Sequence, residues 1–242
     1  MNMTMQGVAQ PTKAAGKYAH IIPLPDPPRE PDMQQTMRLL DFGSIVRYHF
    51  AHRDDVLVAG EGYLRHDGEN DSENFVPDCI VTFGVDPQAI VARNGYVISE
   101  VGKPPDFVLE VASRSTGRRD YTVKREGYAA YGVREYWRFD HTGGEFHDAA
   151  LAGDTLIGNH YEAMEIHHES DGLIWGHSPI LGLDICWDKE QIRLRDPSTG
   201  AFIPTPEESA AHAKEAEARA EASEAENRLL RERVRMLEDR PS

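Results

Sequence analysis

Cysteine is scarce in this 242-residue chain: there are two, Cys79 and Cys186. Each sits inside an apolar, strand-like run and reads as a small buried thiol packed as a hydrophobe. Neither has a partner at CxxC spacing, which leaves a zinc site with little support. Long hydrophobic runs are also missing. None approaches the roughly 20 residues of a membrane helix, so a membrane protein is not expected. Residues Met1 to Gly16 lack the basic start and apolar stretch of a secretory leader. A cytoplasmic location follows as the expectation, and a disulfide does not suit it. Positive charge is in deficit, with 26 Lys and Arg against 41 Asp and Glu and a net charge of −15. That argues against a broad, sequence-independent grip on nucleic acid, which needs basic residues against phosphates. It leaves open a site that holds phosphate through a divalent metal and a few local cations.

Forty per cent hydrophobic and 28% charged residues suit one globular domain of ordinary size with tails. Residues 1–32 are rich in Pro, Gly and polar residues and read as an irregular, mobile lead-in, since the run from Pro23 to Pro28 enters neither a sheet nor a helix interior. Residues 33–205 form the expected α/β domain. Met33–Leu40 suggests a short helix, and Ser44–Phe50 and Asp55–Ala59 short strands. The polar loop Asp67–Asn74 follows. Cys79–Phe83, Asp106–Ala112 and Glu135–Phe139 are strong strand candidates. A helix over about Tyr121–Tyr131 lies between the last two, with Asp120 or Thr122 able to cap it and Gly132 to stop it. Strand–strand–helix–strand implies a mixed sheet with a crossover helix. Asn159–Ile166, Gly172–Trp175 and Asp184–Trp187 are further strands, and Asp196–Gly200 is a turn.

Residues 206–242 carry a long Ala/Glu/Arg-rich helix. Its seam steps alternately by three and four, with Ala213, Ala220, Asn227 and Val234 at the a positions and Ala216, Ser223, Leu230 and Leu237 at the d positions. Val at a, Leu at d and one Asn at a favour a parallel two-stranded coiled coil. The tail therefore reads either as a homodimer zipper, as a recruiter of a partner protein, or as a lone solvated helix.

Chemistry concentrates around three residues. Alternation along a strand puts Asp106, Val108, Glu110 and Ala112 on one side and Phe107, Leu109 and Val111 on the other. Glu110 is then a carboxylate inside an apolar strand, where ionised Glu is rare unless paired or bound to metal. Asp78 opens the preceding strand and can converge with Glu110 at one sheet end. Two converging carboxylates call for a cation, and hard oxygen ligands suit Mg2+ (or Mn2+), held by one or two carboxylates plus substrate phosphate. Lys124, Tyr128 and Tyr131 share a helix face. Lys124 can thus reach toward Glu110 and orient water or offset phosphate charge in a metal-assisted hydrolysis. The plainer alternatives are that Asp78 is a turn residue, Asp106 only begins its strand, and Glu110 and Lys124 are a buried ion pair without a catalytic task. Arg114, Arg118, Arg119 and Arg125 flank the helix start and read either as local contacts to DNA phosphates or as a solvated helix start. His160, His167 and His168 lie close together but lack further ligands at zinc spacing.

The stretches PDCIVTF and GKPPDFVLEVASRSTGRRDYTVKREGYAAYGVREYWRFD resemble the Uma2 (DUF820) family of restriction-endonuclease-like proteins, within the PD-(D/E)XK nuclease superfamily. The phrase LGLDICWDKEQIRLRDPSTGAFIPTPEE and the helix after it are similar to the longer members, so the resemblance spans roughly residues 33–237. It implies a restriction-endonuclease-like core: a mixed β-sheet flanked by helices. It also implies catalytic roles for Asp78, Glu110 and Lys124, with metal at Asp78 and Glu110 and Asp106 in support. The commoner superfamily pattern has Lys two residues after the second acid. That position is Ala112 here, and the resemblance implies that Lys124 has taken over from the following helix. Ser113 and Ser115 would order the loop after the strand. A further acidic residue from the N-terminal part is drawn from Glu61 or Glu73. Two functions compete: a metal-dependent endonuclease acting on DNA, and a catalytically weak nuclease-fold module that recruits a partner through its C-terminal helix. The three polar site residues favour the first; the acidic net charge and the tail favour the second.

Overall fold

The computed structural model describes residues 16–27, 33–68 and 74–238, with the side chains of 33–37, 232, 234 and 236–238 outside that description. Most of the acidic loop, including Glu73, and the first half of the lead-in lie outside the described residues. In chain order a 3-10 turn (Gly16–Tyr18) precedes α1 (Met33–His49), β1 (Val56–Ala59), β2 (Tyr63–Arg65), β3 (Cys79–Phe83), α2 (Pro87–Arg93), β4 (Gly95–Val97), α3 (Ile98–Val101) and β5 (Phe107–Val111). The crossover then consists of α4 (Gly117–Arg119), a π-helical turn (Asp120–Lys124) and α5 (Arg125–Tyr131). After it come β6 (Glu135–Phe139), β7 (Leu151–Ile157), β8 (His160–Ala163), β9 (His167–His168), β10 (Ile174–Ser178), β11 (Leu183–Asp188), β12 (Gln191–Arg195) and α6 (Pro206–Glu238).

The main sheet has six strands in the order β1-β3-β5-β6-β7-β8. All its pairs are antiparallel except the central β5–β6 pair, which the crossover joins in parallel. A four-stranded antiparallel sheet, β12-β11-β10-β9, follows, and β2 and β4 form a parallel pair. Strand alternation sorts β5 between two cores. Phe107, Leu109 and Val111 pack with Phe42, Ile45 and Val46 of α1 and with Ile185, Ile192 and Leu194 of the second sheet. Val108, on the opposite face, packs with Tyr128 of α5 and with Tyr136.

Several expectations change. Ser44–Phe50 is not a strand; it continues α1. Phe42, Ile45 and Val46 are fully buried at helical spacing, so the apolar period there is 3.6 rather than 2. The lead-in is anchored rather than loose over its described part. Leu24 is buried and its N–H donates to the Arg93 carbonyl (2.8 Å), while Lys17 and Tyr18 both hold the Asp86 carboxylate. The crossover helix starts at Gly117, earlier than its apolar pattern suggests.

The two sheets are tied by Glu135, the first residue of β6. Its buried carboxylate accepts from Ser178 Oγ (2.5 Å), the Ile180 N–H (2.8 Å) and Trp137 Nε1 (3.1 Å). Burial pushes this carboxyl above the usual range, and those three donors hold it down in part. The start of α6 is a reciprocal cap: the Glu208 N–H donates to Thr205 Oγ1 (3.1 Å) and the Thr205 N–H to Glu208 Oε2 (2.9 Å), satisfying two orphan donors of the first turn. Glu135→Gln turns one acceptor of this tie into a donor facing N–H groups. It is expected to lower stability by about 1–3 kcal/mol in urea unfolding, the cost of an unsatisfied buried polar group.

Candidate active site

The register of the main sheet brings the first two acids together. β3 and β5 pair with Cys79 opposite Leu109 and Ile80 opposite Val108, so one further residue sets Asp78 across from Glu110. Asp78 Oδ2 accepts the Val111 N–H at 2.8 Å. The opposing chain passes so close that a Cβ at Gly60 would collide with the Asp78 carbonyl, which requires glycine there. Both acids lie at the carboxyl end of β5, the edge of a parallel pair where the crossover begins and where ligand sites of α/β sheets form.

Lys124 arrives from the crossover. Glu110 has no solvent exposure. Lys124 Nζ lies 2.9 Å from Glu110 Oε2, and Tyr128 Oη donates to Glu110 Oε1 at 2.5 Å. The same ammonium lies 2.9 Å from Asp120 Oδ1. Asp120 and Lys124 are the two ends of the π-turn, a one-turn widening of the helix, and both turn inward. Asp120 is fully buried and is fixed twice more. Its Oδ2 pairs with His147 Nε2 at 2.9 Å, and its carbonyl accepts from Tyr136 Oη at 2.8 Å.

His147 is brought in by a loop built on Asp140. That carboxylate accepts from Thr142 N–H (2.9 Å), Thr142 Oγ1 (2.6 Å), Phe146 N–H (2.7 Å) and His147 N–H (2.8 Å). Burial pushes the Asp140 carboxyl up, but these donors outweigh it and hold it below the ordinary range. Gly117 lets the loop close on the helix start, because a Cβ there would strike the Phe146 carbonyl.

Acids crowd around one ammonium in the cluster. Three carboxylates, Asp78, Glu110 and Asp120, act on the one ammonium. Burial opposes the Lys124 charge, but the three acids overcome it and raise the group above its usual value. Lys124 therefore stays protonated through the physiological range. Burial likewise drives Glu110 well above the usual carboxylate range, against the pull of Lys124 and with the help of Asp78 and Asp120. Glu110 Oε2 and Asp120 Oδ1 are buried and accept no aligned hydrogen bond. Lys124 Nζ pairs with both in charge, at 2.9 Å from each. A buried, incompletely satisfied carboxylate oxygen beside a second acid fits a hard divalent cation, which needs only one or two protein carboxylates. Asp78 and Glu110 would hold it. Among the described residues no group of three His, Cys, Asp or Glu is arranged to enclose a metal ion.

The other candidate residues divide. Asp106 is not brought to the cluster. It sits at the opposite end of β5, where it pairs with Lys103 (2.7 Å) and Arg134 (3.6 Å) and accepts from the Phe83 N–H (2.9 Å). Three residues of extended chain, Phe107 to Leu109, separate it from Glu110, too far for contact. Arg125 is committed inward, with its guanidinium on Asp154 (2.7 Å) and the Tyr161 carbonyl (3.1 Å). Arg114, Arg118 and Arg119 are exposed, and Arg114 lies over the Phe146 ring. Ser113 Oγ bonds Thr116 Oγ1 (2.6 Å) and lies 3.3 Å from Ser115 Oγ, so these hydroxyls order the loop after β5. Ala112 is buried without exposure on the Glu110 side of the strand. Glu61 is exposed at φ 60°, its N–H donating to the Pro77 carbonyl (3.1 Å) beside Asp78. His167 stacks on Trp175 at 4.2 Å. Sequence reasoning missed Asp120 and His147 as cluster members. Asp120 stands four residues before Lys124 and could have been found by that spacing, whereas nothing local marks His147.

The Uma2 family profile, described as "Putative restriction endonuclease", matches residues 39–182. The chain belongs to the Uma2 family. The matched span contains Asp78, Glu110, Asp120, Lys124 and His147, and the mixed sheet flanked by helices is the architecture that the family resemblance implied. A crystal structure of a "putative nuclease belonging to DUF820" from Anabaena variabilis ATCC 29413 is 16% identical, with a TM-score of 0.43 over 63% of this chain and 76% of that one. No protein of curated function matches the chain. No helix among the described residues is long and apolar enough to cross a membrane.

Two outcomes follow from the geometry. Lys124→Ala leaves buried carboxylates without their counter-charge and is expected to cost roughly 3–5 kcal/mol. The pair Lys124→Met with Glu110→Gln removes both charges and should restore most of that loss in the same denaturation series. Asp140→Ala frees the loop that carries His147, with an expected loss of about 1–3 kcal/mol near neutral pH. Because the folded carboxyl is depressed, its ionic contribution is complete above the unfolded pKa of about 3.9 and fades as pH falls through the lower folded value. The stability gap between wild type and Asp140→Ala should therefore narrow only below about pH 4, measured by thermal melts across an acid series.

Proposed function

We propose that the chain is a metal-dependent endonuclease that hydrolyses DNA phosphodiester bonds, with Asp78 and Glu110 as carboxylate ligands of Mg2+ (or Mn2+) and Lys124 as the charged catalytic residue. The observation that carries this reading is the convergence of Asp78, Glu110 and Asp120 on the Lys124 ammonium at one sheet end. Acids brought this close repel one another, and a divalent cation between Asp78 and Glu110 would relieve that repulsion. When bound, that cation would supply Lewis-acid stabilisation of phosphate charge and a more acidic water.

The chain's own residues divide the remaining work. Lys124 keeps its proton, so it acts as a hydrogen-bond donor and point charge toward the phosphate and the attacking water, and not as a base. Asp120 fixes the ammonium from the helix side, and His147 and Tyr136 fix Asp120 in turn. Tyr128 orients Glu110 by donating to its Oε1. Arg114, Arg118 and Arg119 are exposed next to the crossover start and would meet neighbouring phosphates. With a net charge of −15, contact to DNA rests on these few cations, so binding should be weak and its salt dependence shallow, the slope scaling with the number of phosphates neutralised.

A second reading is favoured by the acidic net charge and by the lack of a three-ligand metal group among the described residues. On it the nuclease fold serves as a binding module and the Glu110–Lys124 pair is structural. One experiment separates the two: calorimetric titration of Mg2+ into wild type and Glu110→Ala, with cleavage of plasmid and single-stranded DNA assayed on the same samples. Metal binding and cleavage should appear in wild type, both should vanish in Glu110→Ala, and Lys124→Gln should lose about 10²–10³-fold in rate, as when one transition-state donor is removed. A wild type that neither binds metal nor cuts DNA would establish the binding-module reading instead.

A further inference from the structure

α6 is 33 residues long, about 50 Å at 1.5 Å per residue. Its first turn is fastened to the domain by the Thr205–Glu208 cap and by Arg193 on Glu208 (3.0 Å). From Ala210 onward every described side chain is exposed, Leu230 at 53%. A helix polar on nearly all sides and without a neighbour gains little from its own chain; most helical stability in proteins comes from packing a face.

We infer that α6 pairs with α6 of a second copy of this chain as a parallel, in-register two-stranded coiled coil. The heptad that puts Asn227 at a and Leu230 at d also assigns the flanking positions. Arg219 and Glu226 fall at g, and Glu224 and Arg231 at e. In a parallel pair each g residue faces the e residue five positions later on the partner helix. Arg219 then meets Glu224 of the second copy, and Glu226 meets Arg231. By sequence alone, Arg233 and Glu238 continue the same rule. From Arg219 onward the sign of the pair alternates along the helix and each pairing is attractive, which a solvated helix does not require. The in-register arrangement also sets Asn227 against Asn227, so that its amide is satisfied across the seam; a shift of register or direction opposes it to an apolar or unrelated position. Within one helix, Arg219 Nε donates to the Glu215 carbonyl (3.3 Å), and its guanidinium lies 3.9 Å from the Glu215 carboxylate, largely in solvent.

The test uses charge exchange in the full chain. Glu224→Arg with Arg231→Glu makes both of these e–g pairs repulsive in a homodimer, and so does Arg219→Glu with Glu226→Arg. Mixed together, the two variants regain attraction at every one of these pairs. By sedimentation, wild type is expected at twice the chain mass of 27.2 kDa, each variant alone at the single mass or shifted strongly toward it, and the equimolar mixture back at twice. Because these side chains are exposed, circular dichroism should show both variants folded. Direction is read from Ser223→Cys: two d-position thiols in one layer should form an interchain disulfide on oxidation, while Cys79 and Cys186 are buried and stay out of the reaction. A wild type at the single mass throughout a concentration series overturns the pairing. Variants that remain dimeric alone, or that fail to recover on mixing, overturn the charge register, and a dimer without the Ser223→Cys cross-link overturns the parallel direction.

Discussion

The buried contact between Glu110 and the Lys124 ammonium is the constraint around which the domain is arranged. A carboxylate without solvent exposure at the end of a central strand is tolerable only if a cation reaches it. Here the cation comes from the crossover that joins the one parallel strand pair of the main sheet. Everything that fixes that crossover therefore also fixes the site. Tyr128 clamps Glu110, Tyr136 holds the Asp120 carbonyl, His147 holds the Asp120 carboxylate, and Gly117 lets the loop of Asp140 close against the helix start. Removing any of these loosens the ammonium rather than the strand.

The position of the lysine explains the π-turn. A lysine two residues beyond Glu110 would sit at Ala112, on the same strand and the same face, where its backbone alone would place it. Ala112 has no exposure and offers only a methyl group. A lysine delivered from a helix has no such backbone guarantee, because helix register and tilt are free to vary. The widened turn from Asp120 to Lys124 puts an acid and the ammonium side by side, and the acid is in turn held by a loop and by β6. In the strand arrangement the backbone sets the geometry; in this one a chain of side-chain contacts does, and each link is a buried polar group that must be satisfied.

Much of this was legible in the amino-acid sequence, for physical reasons that differ by element. Cys79–Phe83, Phe107–Val111 and Glu135–Phe139 are short, apolar and bounded by Pro or Gly, so their strand character is local. The convergence of Asp78 with Glu110 follows from the strand ends once the two strands pair. What failed was non-local or ambiguous in period. Ser44–Phe50 is short enough to read with period 2, and only burial of Phe42, Ile45 and Val46 on one face settles it as helix. Asp106 shares a strand face with Glu110, but the face runs the length of the strand and its two ends serve different partners. Arg125 reads as a free cation until Asp154, 29 residues on, is placed beside it. His147 enters through a loop whose shape depends on hydrogen bonds to Asp140, a pattern with no sequence period.

The tail bears on the site through where it is attached. Its first turn meets α1 and Arg193 of β12, elements of the core that covers the Phe107–Leu109–Val111 side of β5. The crossover carrying Lys124 covers the opposite side, with Val108 and Tyr128. A zipper extending from the α1 side would thus join two domains without covering either cluster, and two-fold symmetry would give both copies the same relation to it. A duplex has two strands of opposite direction, and cutting both requires either two sites or two encounters. A stiff parallel helix pair keeps two clusters in one particle at high effective concentration. In such a dimer two sets of exposed arginines would engage one polymer at once, which would offset the weak grip expected from a net charge of −15.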